Sequence, residues 1–240
     1  MIGISKLYCG QVEPSDALRY GRHSGKLPSH LLQFSADKKP VVVWNMTQRC
    51  NLKCAHCYAQ AVTDKGEDPI NTEKAKVLID DLAAYGAPVI LFSGGEPTIR
   101  KDLPELASYA TSKGMRAVIS TNGTLIDEET VAWLKDCPPT RINITLYGAS
   151  DATYGRLCGN PRGFTQVTRA IRLLKEAGIF VKLNCSVTPD NEGDLEEMFA
   201  FAEREGLILQ ATSYMFPPLR RDRAMVGQND RFTPEEAARQ

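Results

Sequence analysis

Apolar positions along this chain follow two alternating rhythms. Val41-Val42-Val43-Trp44 is a short apolar run of the kind that forms a buried parallel strand. Val77, Leu78, Leu82 and Tyr85 then recur at helical spacing on one face, which predicts a helix over Thr72 to Tyr85, and the next apolar run predicts a strand over Pro88 to Ser93. The same order repeats through helix 102–113, strand 115–120, helix 127–136, strand 141–146, helix 164–177, strand 179–187, helix 193–205 and strand 207–213. Gly114 and Gly123 punctuate the connections between them.

Strands that alternate with helices pair in parallel through right-handed crossovers, so the chain is α/β, either a doubly wound sheet or a barrel. Two strands favour the barrel. Ile142, Ile144 and Leu146 alternate with Asn143 and Thr145, and Val181, Leu183, Cys185 and Val187 alternate with Lys182, Asn184 and Ser186. A strand covered by helices on both faces would be apolar throughout, whereas a polar face suits a lumen that holds a ligand. The expectation is a partial (βα)6 TIM-like barrel of parallel strands over residues 41–213. Before it, residues 1–40 scatter Gly3, Gly10, Pro14, Gly21, Gly25, Pro28 and Pro40 among polar residues and read as an irregular N-terminal extension. After it, residues 214–240 read as a linker, with Arg220-Arg221-Asp222-Arg223 a solvated stretch, and the start of a truncated C-terminal region, since Thr233-Pro234-Glu235-Glu236 opens a helix one turn before Gln240.

Charge adds mainly exclusions. The 240 residues carry 29 Lys and Arg against 29 Asp and Glu, a net charge of zero, so nothing in the bulk charge calls for nucleic acid or an anionic membrane. No apolar run approaches the length of a membrane span, and Met1 to Gly10 lacks the pattern of a signal peptide, which together suggest a cytoplasmic protein.

Cysteine usage changes the picture most. Of seven cysteines, Cys50, Cys54 and Cys57 fall in one C-x3-C-x2-C loop directly after the first strand. A structural zinc site takes four ligands, normally from two separated pairs, and no second pair exists; His56 lies between two of the cysteines and would have to turn back to the same ion. A [4Fe–4S] cluster held by three thiolates keeps one iron open to a further ligand. Cys9, Cys137, Cys158 and Cys185 are isolated and read as small buried hydrophobes. Two further segments sit at strand ends, where parallel folds bind ligands: Ser93-Gly94-Gly95-Glu96-Pro97 and Ser120-Thr121-Asn122-Gly123.

The cysteine spacing, on the loop after the first strand, resembles the signature of the radical S-adenosylmethionine (SAM) superfamily, a likeness that covers about residues 41–213. The resemblance implies a [4Fe–4S] cluster on Cys50, Cys54 and Cys57, with SAM as cofactor. It implies contacts to that cofactor from His56, which stands where the family usually has an aromatic residue, from Gly94, Gly95, Glu96 and Pro97, from Ser120 and Asn122, and from Thr145, Arg156 and Val187. It further implies reductive cleavage of SAM, hydrogen abstraction from a substrate, anaerobic function, and reduced flavodoxin or ferredoxin as electron donor. For the substrate, Ser5-Lys6-Leu7-Tyr8-Cys9-Gly10 and Leu18-Arg19-Tyr20-Gly21 look like enzymes that process sirohaem-derived tetrapyrroles in haem synthesis. Leu146-Tyr147-Gly148-Ala149 and Tyr214-Met215-Phe216-Pro217-Pro218 look like peptide and protein maturases with a cysteine-rich, SPASM-type C-terminal extension, the reading preferred on sequence. A cluster used only for electron transfer or iron sensing is the non-enzymatic alternative.

Overall fold

Strand β1 (Val42–Thr47) leads into the cysteine loop, and helix α1 (Thr72–Tyr85) follows it, in a computed structural model that describes residues 39–59, 61, 68, 70–213 and 231–239. Asn71 caps α1 by accepting a hydrogen bond from the Lys74 amide at 3.0 Å, and Gly86, at φ 88°, ends it in the left-handed region. The chain continues through β2 (Val89–Gly94), a 3-10 turn (Pro97–Ile99), α2 (Leu103–Ser112), β3 (Arg116–Thr121), α3 (Glu128–Asp136) and β4 (Arg141–Thr145). Then come α4 (Asp151–Cys158), α5 (Gly163–Glu176), β5 (Val181–Ser186), α6 (Leu195–Arg204), β6 (Leu209–Thr212) and the short α7 (Pro234–Ala237), where Thr233 and Glu236 form a capping box.

All six strands pair in parallel, and their order in the sheet is their order in the chain. That order decides between the two architectures left open by the sequence. A doubly wound sheet reverses direction at a switch point, whereas an unbroken run of right-handed crossovers puts every helix on one face and leaves the other face free. The sheet is open, with β1 and β6 at its edges among the described residues.

The two faces differ as the alternation required. Trp44, Phe92, Ile119, Ile142 and Val181 stand in register across five strands, all buried against the helix layer. On the opposite face Ser120 pairs with Asn143 and Asn143 with Lys182, and nearer the carboxyl ends Thr145 pairs with Asn184 and Asn184 with Gln210. The polar face is the lumen, and β1 to β6 carry their carboxyl ends to one rim.

One helix was not expected. Asp151–Cys158 is only eight residues long, but Ser150 accepts from the Thr153 amide at its start and Gly159, at φ 69°, closes it. It buries Thr153, Tyr154, Leu157 and Cys158 on one face. Residues 1–38 of the N-terminal extension, with the segment Ser5 to Gly21, and the segment Tyr214 to Pro218 lie outside the described residues. Among the described residues no helix is long and apolar enough to cross a membrane.

Candidate active site at the carboxyl ends of the strands

The cysteine loop is held from three sides. Its stem is tied to the turn after β2, because the Gly95 amide donates to the Thr47 carbonyl and the Glu96 amide to the Arg49 carbonyl, each at 2.8 Å. A Cβ on Gly94 would lie 2.4 Å from the Thr47 carbonyl oxygen, and one on Gly95 would lie 2.1 Å from that of Arg49. The paired glycines are therefore required by the approach of two backbones, in addition to bordering the cavity described below. The buried Arg100 guanidinium forms a bidentate pair with Asp102 and donates to the carbonyls of Met46 (2.9 Å) and Ile70 (3.0 Å), which clamps the loop's two flanks. On the far side the Lys53 and Ala55 amides donate to the carbonyls of Cys158 and Leu157 at 2.9 Å each, docking the middle of the loop on the end of α4.

Two further groups, Glu96 and Asn122, fix the rim. Glu96 is fully buried, and its carboxylate accepts four hydrogen bonds: Oε1 from the Thr98 amide (3.1 Å), the Thr98 hydroxyl (2.6 Å) and the Thr121 hydroxyl (2.7 Å), and Oε2 from the Asn122 amide (2.8 Å). Burial pushes its pKa up while those donors pull it down. Asn122 in turn donates from Nδ2 to Asn51 at 2.9 Å and lies 4.0 Å from Cys50 Sγ, so the turn after β3 grips the start of the cysteine loop.

A cavity of about 320 Å³ opens at this rim, within the size range of small-molecule sites. Of the residues singled out in the sequence, Cys50, Cys54, Cys57, His56, Gly94, Gly95, Ser120, Asn122 and Thr145 line it. Four expected residues do not. Glu96 spends its carboxylate on the two turns, and Pro97 is buried as the first residue of the 3-10 turn. Arg156 reaches the Asp190 carbonyl at 3.2 Å, and Val187 is packed in the core. Tyr58, Ser93, Thr121, Tyr147 and Ser186 line the cavity without having been singled out. Ser93 and Ser186 share the lumen parity of Ser120 and Thr145, which was the available signal.

The thiols differ in their surroundings. Burial pushes Cys50 up to about 11, while hydrogen bonds from Cys158 and then Tyr147 hold Cys54 below the usual thiol value. His56 is buried against the Tyr147 ring at 5.4 Å between centroids, and its Nδ1 has no partner. Burial lowers its pKa to about 4. Between pH 6.5 and 4 the unfolded chain thus binds a proton that the folded ring refuses, so acidification costs stability. On going from pH 7 to pH 5 the metal-free protein should lose about 2 kcal/mol through this residue, and His56→Phe should remove that loss in paired thermal melts. Equal pH sensitivity in both proteins would refute the assignment.

Three soft sulfur donors on one short loop at the mouth of a cavity suit a four-iron cluster that takes one thiolate on each of three irons. Among the described residues no three His, Cys, Asp or Glu side chains converge as they would around a single ion. The remaining space beside Gly94, Gly95, Ser120 and Thr145 offers polar groups to a small ligand.

Comparison with known proteins agrees with this geometry. The family model described as the Radical SAM superfamily matches residues 44–202. The chain is 59% identical over 205 residues to the Fe-coproporphyrin III synthase of Methanosarcina barkeri, covering 85% of this chain and 51% of that protein. It is 39% identical over 188 residues to an AdoMet-dependent heme synthase of Nitratidesulfovibrio vulgaris (78% and 51% covered). To the mycofactocin maturase MftC of Mycobacterium ulcerans it is 34% identical over 190 residues (78% and 51%). The chain thus spans about half the length of these relatives. Among solved structures, Streptococcus suis SuiB bound to S-adenosylmethionine superimposes with a TM-score of 0.65 at 17% identity, over 80% of this chain and 43% of that one, a likeness of fold.

Proposed function

The chain belongs to the radical SAM superfamily, whose enzymes use a [4Fe–4S] cluster and S-adenosylmethionine, and on that premise we propose that it is the SAM-cleaving part of an enzyme of tetrapyrrole modification in haem synthesis. The observation that carries the tetrapyrrole reading is the 59% identity to an Fe-coproporphyrin III synthase across 85% of the chain, against 34% to a peptide maturase. The preference for peptide maturation, formed on sequence, gives way to the alternative of haem synthesis.

In this reading Cys50, Cys54 and Cys57 each ligate one iron. Bound together, cluster and SAM would supply the radical chemistry for hydrogen abstraction from the substrate. The chain's own residues orient and shield. Gly94 and Gly95 would present backbone to the cofactor, Ser120 and Thr145 would offer it hydrogen bonds from the lumen face, and His56 and Tyr147 form an aromatic wall beside the cysteine loop. Because His56 is neutral near pH 7 it adds no charge beside the cluster. No side chain is needed as a general base for hydrogen abstraction. Reduced flavodoxin or ferredoxin is the expected electron donor, and a protein of this chemistry works anaerobically.

The test is anaerobic mixing of the cluster-loaded chain with a sirohaem-derived iron tetrapyrrole. A shift of the tetrapyrrole's main absorption band and faster 5′-deoxyadenosine release in its presence are expected. Neither change, with stimulation by a peptide instead, would restore the maturase reading.

A further inference from the structure

Among the described residues the six strands carry only three charged side chains, Arg116, Arg141 and Lys182, and all three are cations. All three belong to the lumen face. Val118 pairs with Arg141 and Asn143 with Lys182, so each cation stands one diagonal step from the next across β3, β4 and β5. Each also lies four residues before a hydroxyl residue that lines the cavity: Arg116 before Ser120, Arg141 before Thr145 and Lys182 before Ser186. The cations therefore form a basic floor about 13 Å below the rim. Arg116 is exposed, Arg141 half-buried and Lys182 only 5% exposed, so the floor runs from solvent on the β3 side into the protein at β5. Between floor and rim sits Asn143, which is 7% exposed and whose Oδ1 is buried without a hydrogen-bond partner. A buried amide left incomplete by the protein is costly, and on a lumen wall it points to a ligand that completes it.

Resting on the tetrapyrrole reading above, we propose that Arg116, Arg141 and Lys182 form the floor of the substrate site and bind carboxylate side chains of the tetrapyrrole, with Asn143 hydrogen-bonding the same ligand. The chemistry of the floor selects an anion. An arginine guanidinium pairs with a carboxylate through two parallel hydrogen bonds, and cations gathered in a cleft with low-dielectric walls reinforce one another's field. The Asn143 amide can turn end for end, so it meets either a donor or an acceptor on the ligand. Tetrapyrroles of haem synthesis carry carboxylate side chains around an apolar macrocycle. With those side chains anchored on the floor, the macrocycle lies along the lumen and presents its reacting edge at the rim beside Ser120, Thr145 and Ser186. The three cations are thereby specificity determinants: a ligand without acids leaves them unpaired and loses affinity.

The experiment is a binding titration of the anaerobically reconstituted chain, followed by absorbance, with two probes in the same dilute detergent. One is an iron porphyrin carrying propionate side chains, and the other is the same porphyrin with every propionate methyl-esterified. The parent should bind the acid at least about tenfold more tightly than the ester. Lys182→Met and Arg141→Gln should each weaken acid binding about tenfold, and the exposed Arg116→Gln about threefold, while ester binding stays within about twofold of the parent. Lys182→Arg, which keeps the charge, should hold acid binding within about threefold. Equal affinity for acid and ester in the parent would overturn the inference, as would variants that bind the acid as the parent does or that lose both probes together, the mark of a packing role. Should Lys182→Met fail to fold, the same comparison in Arg141→Gln and Arg116→Gln decides. A parent that binds neither porphyrin would overturn the tetrapyrrole reading and this inference with it, whereas tight binding of both forms alike overturns this inference alone.

Discussion

Cys54→Ala should strip the chain of its four-iron chromophore and lower 5′-deoxyadenosine formation at least about a thousandfold, to the background of the uncatalysed reaction. The size of the effect follows from the site's construction. Cys50, Cys54 and Cys57 are the only thiols of the loop, and the isolated Cys158, although it lies beside Cys54, points from the buried end of α4 and does not line the cavity. Two thiolates cannot hold a cubane whose fourth iron already lacks a protein ligand. Folding should survive, since the loop's attachment runs through backbone bonds to Thr47, Arg49, Leu157 and Cys158. The measurements are iron content, the visible spectrum and chromatography for 5′-deoxyadenosine. A variant that kept its iron and its cleavage would remove Cys54 from the ligand set.

A second large effect is expected from Glu96→Gln, in stability as well as in cofactor binding. The carboxylate accepts four hydrogen bonds in a fully buried position, and an amide must turn its NH2 toward one set of those donors. A buried donor left unpaired, with the loss of charge-assisted bonds, costs about 3 kcal/mol. In a chain of this size that lowers Tm by about 6 to 12 °C. Because Glu96 joins the turn after β2 to the turn after β3, SAM affinity should fall about tenfold by misalignment of both turns. Thermal melts and equilibrium SAM binding read the two effects separately. A Tm within about 2 °C of the parent would contradict the strut described here.

Glu96 also shows what sequence could and could not carry. A carboxylate in Gly94-Gly95-Glu96-Pro97 at a strand end reads naturally as a ligand contact, because the sequence does not reveal that Thr121 and the Asn122 amide return to the same point from the next strand. The partners of its carboxylate were not legible in the sequence. Alternation was more informative: the polar positions of the strands 141–146 and 181–187 identified the lumen face, since period-two patterning is a direct record of which face is buried. The helix Thr72–Tyr85 was legible to both ends because a cap and a terminal glycine agree, but its buried face was not: Val77 and Tyr85 are exposed, and Ala75 and Ile79 are the residues it buries. Helix α4 was not, because its eight residues present too short a stripe to stand out and its stability comes from Ser150, Gly159 and burial of Tyr154. Missing that helix hid Cys158 behind Cys54, and with the strand read as running to Leu146 there was no reason to turn Tyr147 toward the cavity.

The relatives of higher identity favour the alternative substrate reading over the one preferred on sequence, for a related reason. The motifs that read as a maturase lie partly in Leu146-Tyr147-Gly148-Ala149, which the structure uses to frame the cysteine loop, a role any substrate class can share. The N-terminal likeness to tetrapyrrole enzymes lies outside the described residues, yet it agrees with the relatives of higher identity.

The central claim is that three thiolates on one loop hold a cluster that cleaves SAM. It is tested most directly by anaerobic reconstitution of the unsubstituted chain, reduction with dithionite in the presence of SAM, and quantification of metal and nucleoside. The account predicts about four irons per chain and 5′-deoxyadenosine that appears only when both reductant and SAM are present. A fully loaded, reducible cluster that releases none, or a single zinc in place of iron, would contradict it.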